Sequence, residues 1–238
     1  MIYLGVLILL SLLILIHEAG HLVAARLAGI PVSGFSVGFG PRVWSRRWGA
    51  TEYSLRALPL GGYVQPALDA DGGDEGFRAI ALRRRLVFFL GGPLANLAAA
   101  LPLFAAYNGM AGGRSFYALA VAPFAQVAGS CWHVLNLLPD LFRKPEAMSG
   151  VIGVVVDGGQ LAASGGLVEL ALSLTISLAV LNLFPIPILD GGQIVMSCLE
   201  ELFPRLARLR VPLTLAGLVL LVGLMVYVNV QDVVRHWG

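Results

Sequence analysis

The sequence predicts a membrane protein of the all-α class with a small β element. About four transmembrane helices are expected, with a membrane-associated β-hairpin region between the first two and an interfacial or re-entrant helix between the second and third. Three observations carry this. Of 238 residues, 58% are hydrophobic and only 13% charged, with a mean hydropathy of +0.82, whereas soluble domains average about a quarter charged residues. Four apolar runs are long enough for helical spans. Between the first two of them the texture changes to Gly, Pro, aromatics and short alternating runs. The net charge of +2 is small and scattered, which argues against nucleic acid as a partner. Cys131 and Cys198 lie far apart without C-x-x-C spacing and read as packing residues.

Residues 2 to about 27 form the first span. No positive stretch precedes it and no small-residue cleavage site follows it, so it is expected to be a span and not a removed signal peptide. It contains His17, Glu18 and His21 in the spacing H-E-x-x-H. On a helix, positions i and i+4 share a face, so the two imidazoles can bind one metal while Glu18 serves as the base of a hydrolase. The motif arises by chance in soluble helices. Here it follows Leu12 to Ile16 directly, and unpaired ionisable groups in lipid cost several kcal/mol, so the setting favours a functional reading. Zinc then needs a further protein ligand.

From Gly29 to about Arg83, the stretches 32–40 and 51–60 read as short strands, with turns at Gly40-Pro41 and Gly61-Gly62. Strand edges cannot face lipid, so the hairpin lies at the interface or dips beside the catalytic helix in a protein-lined cavity, where an edge could take up an extended peptide. The acidic stretch 68–76 reads as a solvated loop. Residues 85–107 form the second span after Arg83-Arg84-Arg85, carrying Gly91-Gly92 and Asn96; the amide is expected to bond another span or a bound peptide. Residues 115–138, interrupted by Pro123 and carrying Gln126, His133 and Asn136, suit an interfacial or re-entrant helix better than a crossing. Residues 149–166 are Gly-rich and short of order signals.

The third span, 167–184, breaks at 185–192, where Pro185 and Pro187 favour extended backbone and Gly191-Gly192 permits a turn into a helix from Gln193. Non-helical backbone at membrane depth must be enclosed by protein. Asp190 is therefore a buried carboxylate, preferred as the third metal ligand, with helix capping as the alternative. The fourth span covers 211–230, and the whole of 1–238 reads as a single domain. The connection between spans one and two carries nine arginines, counting Arg26 and Arg83 to Arg85; that after span three carries Arg205, Arg208 and Arg210, against only Arg114, Arg143 and Lys144 between spans two and three. The positive-inside rule then puts both termini outside the cytoplasm and the motif and Asp190 toward the cytoplasmic side.

His17-Glu-Ala-Gly-His21, Leu58-Pro-Leu-Gly-Gly-Tyr63, Gly92-Pro-Leu-Ala-Asn96 and Asn182-Leu-Phe-Pro-Ile-Pro-Ile-Leu-Asp-Gly191 together resemble the site-2 proteases, intramembrane zinc metalloproteases, in their bacterial RseP-like group. The resemblance implies a four-span core in the bacterial inner membrane with one Zn2+ per chain on His17, His21 and Asp190. It implies Glu18 as catalytic base and Asn96 and Asn182 lining a substrate site, to which Gly61, Gly62, Pro185 and Pro187 are added as candidate contacts. The partners implied are the lipid bilayer and a transmembrane protein or peptide substrate, such as an anti-sigma factor or remnant signal peptides. Two departures stand out. Residues 108–165 are too short and too apolar to hold the PDZ domains of that group, and Gln193 stands where some relatives have histidine. A non-hydrolytic metal carrier and an inactive scaffold are the rival readings; the scarcity of histidines counts against the first and the intact motif against the second.

Overall fold

The computed structural model of the chain describes residues 1–67, 73–143 and 149–237. In chain order the elements are α1 (Ile2–Leu27), β1 (Val32–Trp48), β2 (Thr51–Pro66), α2 (Gly73–Ala79), α3 (Leu82–Met110), a π-helical turn (Tyr117–Val121) running into α4 (Ala122–Arg143), α5 (Val151–Ala163), α6 (Leu167–Asn182), α7 (Asp190–Leu202), a 3-10 turn (Pro204–Leu209) and α8 (Arg210–Trp237). The protein is thus mostly helical, with a small antiparallel sheet between its first two long helices. Among the described residues, four helices are long and apolar enough to cross a membrane: Ile2–Leu27, Leu82–Met110, Tyr117–Pro139 and Pro204–Trp237.

These are not the same four stretches the sequence suggested. Helix α6 has 16 residues, about 24 Å, and is one of two apolar helices that fall short of a spanning length. The 117–139 stretch, expected to lie at the interface, is long and apolar enough to cross. Two of its apparent interruptions are accommodated. Pro123 directly follows the π-helical turn Tyr117–Val121, where the α-helical bond ladder is already widened, and the Gln126 amide forms a reciprocal pair with Asn108, both contacts 2.9 Å.

The chain clusters into two compact units, each discontinuous in sequence. One comprises Leu10–Asn96 and Leu181–Leu213. In it α1 ends at Gly29, whose φ of 68° lets Ile30 N–H reach the Ala25 carbonyl (2.8 Å) and Gly29 N–H that of Arg26 (3.1 Å). The reversal delivers Ile30, Val32 and Phe35 into a core with Leu22, Ala25, Phe77, Phe88 and Phe89. The inner part of β1 has partners on both sides: Phe35 faces Val64 and Tyr53, Val37 faces Gly62 and Leu55. The expected turns at Gly40-Pro41 and Gly61-Gly62 are bends within strands, and the hairpin reverses at Gly49-Ala50. Helices α1 and α3 touch backbone to backbone, since a Cβ on Gly91 would lie 2.6 Å from the Gly20 carbonyl oxygen. Of the acidic stretch read as a solvated loop, residues from Gly73 are helical and 68–72 lie outside the described residues.

The other unit comprises Met1–Leu9, Leu97–Val180 and Thr214–Gly238. Its core joins Ala100 and Phe104 of α3 to Leu172, Ile176 and Val180 of α6. Residues 149–166, which showed no order signal, contain α5. Its first N–H groups are bonded from α8: Asp232 Oδ2 accepts from Gly150 and Gly153, both at 2.8 Å, and Asn229 Oδ1 from Ile152 at 3.1 Å. The helix lacks an N-cap side chain of its own, so its order depends on residues some 80 positions away. Among the described residues between α3 and α6 no strand occurs, so no PDZ domain interrupts them.

Candidate metal centre

Helix α1 carries His17 and His21 one turn apart, and both rings are buried. Their Nε2 atoms lie 3.2 Å from each other. Asp190, the first residue of α7, places Oδ2 at 3.0 Å from Nε2 of His17 and 3.3 Å from Nε2 of His21. A tetrahedral zinc with donors at about 2.0–2.1 Å requires donor–donor edges of roughly 3.3 Å, so the three atoms fit one face of such a site. Beyond these two rings the buried Oδ2 makes no hydrogen bond.

Both rings are held from behind. Nδ1 of His21 lies 2.8 Å from the Phe88 carbonyl, which can only accept; Nδ1 therefore carries the proton and Nε2 keeps its lone pair. The fully buried Asn96 amide lies 3.2 Å from Nδ1 of His17. The amide nitrogen is the atom placed there; with the amide flipped so that Oδ1 faces the ring, Nδ1–H donates to it and the Nε2 lone pair is left, as on His21, for a metal. Both supports come from α3, which also supplies Gly92. A Cβ there would stand 2.6 Å from Nε2 of His17, inside the space a metal would fill.

Glu18 faces the sheet. A Cβ on Gly62 would lie 2.8 Å from its Cγ and 2.7 Å from the Ser36 carbonyl, so the strand passes this carboxylate at a distance only glycine allows. The pairing of Gly62 to Pro66 is with β1 alone, leaving their other edge open among the described residues. Gly61, with φ 106°, packs beside the Phe39 ring.

Residues 183–189 form turns, not the extended stretch expected from two prolines, and α7 starts at Asp190 instead of Gln193. Asn182 is the half-buried last residue of α6; Pro185 is exposed, and the Pro187 carbonyl accepts a hydrogen bond from the Gln193 side chain. The residue at the departing position thus braces the break. The structure brings His17, Glu18, His21, Asp190, Asn96 and Gly62 together, while Asn182, Pro185 and Pro187 belong to the segment leading into Asp190. Sequence reasoning missed the Phe88 carbonyl, a backbone group carrying no residue signature, and the role of Gly92, which signalled close packing without saying against what.

The profile of peptidase family M50 matches residues 5–226. A protein of Chlamydia trachomatis named as a candidate zinc metalloprotease is 32% identical over 69% of this chain, the match covering 28% of its own length. Zinc metalloprotease Rip1 of Mycobacterium tuberculosis is 41% identical over 37% of the chain and 24% of its own length. The chain therefore spans about a quarter of these relatives. A candidate zinc metalloprotease of Clostridium perfringens is matched nearly end to end, 25% identical over 94% of this chain and 96% of its own.

Proposed function

Because the chain belongs to peptidase family M50, we propose that it is a zinc-dependent intramembrane endopeptidase that hydrolyses a peptide bond within or near the membrane span of another protein. The observation carrying this reading is the donor set: Nε2 of His17, Nε2 of His21 and Asp190 Oδ2, mutually 3.0–3.3 Å apart beside a glycine, with a carboxylate one residue from the first ligand. His17, His21 and Asp190 would hold one zinc ion. When bound, zinc polarises a carbonyl and acidifies water.

The chain's own residues supply the rest. Glu18 takes the proton of the attacking water and returns it to the leaving amine, as a general base and then acid. A helical span hides its carbonyls in its own hydrogen bonds, so the substrate must unwind locally. The open edge of Gly62–Pro66 offers backbone partners to an unwound strand beside Glu18. Gly61 and Gly62 keep that edge close to the base. Asn182, Pro185 and Pro187 contribute to the substrate side of the break before Asp190, and Asn96 orients His17. We place the chain in a bacterial inner membrane with both termini outside the cytoplasm, acting on a membrane-anchored regulator such as an anti-sigma factor or on remnant signal peptides.

Purified protein incubated with a panel of single-span substrates, with and without a zinc chelator, tests this. Cleavage is expected to stop with chelator and resume with added zinc. Glu18→Gln should bind zinc as the parent does while cleavage falls by at least about 10²-fold; full activity in that variant would sink the mechanism. Asp190→Ala should lower zinc affinity by on the order of 10²-fold or more.

A further inference from the structure

The inner part of β1, Val32 to Gly38, is buried or half-buried, whereas every residue from Phe39 to Ala50 is exposed. The change falls where Gly38 and Gly40 adopt φ of 87° and 85° and bend the ribbon. Its outer part carries Phe39, Val43, Trp44 and Trp48 at 50, 67, 52 and 81% exposure, with Leu55 and Leu58 of β2 at 44 and 58%. The cross-strand pairs Trp44 with Leu55 and Arg46 with Tyr53 put Trp44, Arg46 and Trp48 on one face by strand alternation. Four arginines, Arg42, Arg46, Arg47 and Arg56, accompany a single acid, Glu52, which is taken by Arg42 at 2.8 Å. Arg46 and Arg47 have no ion-pair partner among the described residues.

We propose that this outer hairpin docks on the headgroups of anionic phospholipids. The surface cannot leave the membrane, because β1 begins five residues after the end of α1, a helix long and apolar enough to span it. Tyr53, three residues past the reversal at Gly49-Ala50 and the cross-strand partner of Arg46, accepts a hydrogen bond from Arg26 in the last turn of that helix. Lipid is thus the partner always within reach, and the face matches it in chemistry. Indole rings favour the headgroup level, and guanidinium forks bind phosphate oxygens. A soluble acidic protein would satisfy the arginines and leave the tryptophans without the half-apolar medium they suit. Docking there would fix the height of the sheet whose Gly62 lies against Glu18. The inference needs the spans and not the peptidase reading.

The chain has four tryptophans, so Trp132→Phe with Trp237→Phe leaves Trp44 and Trp48 as the only indoles. That full-length protein is reconstituted in phosphatidylcholine vesicles alone or with about one third phosphatidylglycerol, each containing phospholipid brominated high on the acyl chain. Tryptophan emission is expected to be quenched by the brominated lipid and shielded from acrylamide, more so in the anionic vesicles. Arg46→Gln with Arg47→Gln should lower the docked-to-undocked ratio by roughly 30-fold in anionic vesicles, whereas Arg46→Lys with Arg47→Lys should retain most of the quenching. A far-ultraviolet circular-dichroism spectrum and unfolding midpoint matching the parent's in each preparation report that the fold is intact. Indoles open to acrylamide and unquenched by lipid overturn the proposal. So does shielding from acrylamide without lipid quenching, which would assign the face to a protein contact, and so does quenching indifferent to phosphatidylglycerol.

Discussion

Gly92 decides how near α3 comes to the two rings. Its Cα occupies a place where one methyl group would contact Nε2 of His17 at 2.6 Å and Cε1 of the same ring at 2.7 Å. Gly92→Ala is therefore expected to cost about 1–3 kcal/mol of stability from overpacking and to abolish stoichiometric zinc. Gly129→Ala, on an open face of α4 with nothing within 4 Å, should be neutral or stabilise by up to about 1 kcal/mol. Thermal unfolding in detergent alongside metal analysis checks both. Asn96 makes a second case at this scale. If its amide holds the His17 ring, Asn96→Ala should weaken zinc binding about 10- to 100-fold and leave Glu18 untouched. Zinc titration of the apo-protein measures the loss; unchanged affinity would confine Asn96 to packing or to the substrate. The candidate ligands could be picked out of the sequence because chemistry restricts zinc donors to few residue types and the helix fixes the spacing of His17 and His21, while Asp190 followed from its place in a broken span. The outer supports were not, since one is a main-chain carbonyl of Phe88 and the other is an amide whose neighbour only tertiary structure reveals.

Helix α7 presents Asp190 at its first residue, and its opposite end is anchored by charge. Buried Glu200 pairs with Arg210 at 2.8 Å and faces Arg85 of α3 at 3.5 Å, while Glu201 reaches Arg85 at 3.1 Å. Arg210 also donates to the Ser197 hydroxyl at 3.0 Å. From the sequence, Arg85 was one of three arginines marking the edge of a span; in the fold it is 2% exposed. The sequence shows the charges on both segments and not which will be desolvated together. Removing one member of a buried ion network leaves its partners uncompensated, at about 3–5 kcal/mol. Glu200→Gln should therefore lower the unfolding midpoint markedly, whereas Glu201→Gln, whose carboxylate is 56% exposed, should change stability by less than about 1 kcal/mol. A similar blindness hid α5. Nothing within Val151–Ala163 announces a helix start, because the groups that bond its first N–H atoms are Asn229 and Asp232. The β-hairpin, by contrast, was legible in its strands and misjudged in its turns, since glycine marks a bend as readily as a reversal.

Length and composition make Tyr117–Pro139 a candidate span, yet connectivity within its unit argues that it does not cross. Helix α5 lies against both ends of the chain: Gly159 packs beside Tyr3, Gly158 beside Val6, and Gly150 to Ile152 bond to the last turns of α8, where Asp157 also meets His236 at 3.0 Å. Both termini and α5 therefore lie at one end of this unit, and on one side of any membrane that α1 and α8 cross. Helix α4 begins there too, since the Asn108 amide at the end of α3 bonds the Ala118 carbonyl and Gln126. Were α4 to cross, Arg143 would sit at the far interface, and the seven residues to Gly150 reach about 25 Å at full extension, short of a hydrocarbon core of about 30 Å. Gln126, Ser130 and His133 also recur at helical spacing as a polar stripe. The expectation is that α4 lies along, or re-enters from, the membrane face that carries both termini. Cysteines introduced singly at Met1, Arg143 and Trp237, with Cys131 and Cys198 replaced by serine, test this in oriented membranes. A membrane-impermeant thiol reagent should label all three from the same side. Labelling at position 143 from the opposite side to the termini would make α4 a true crossing.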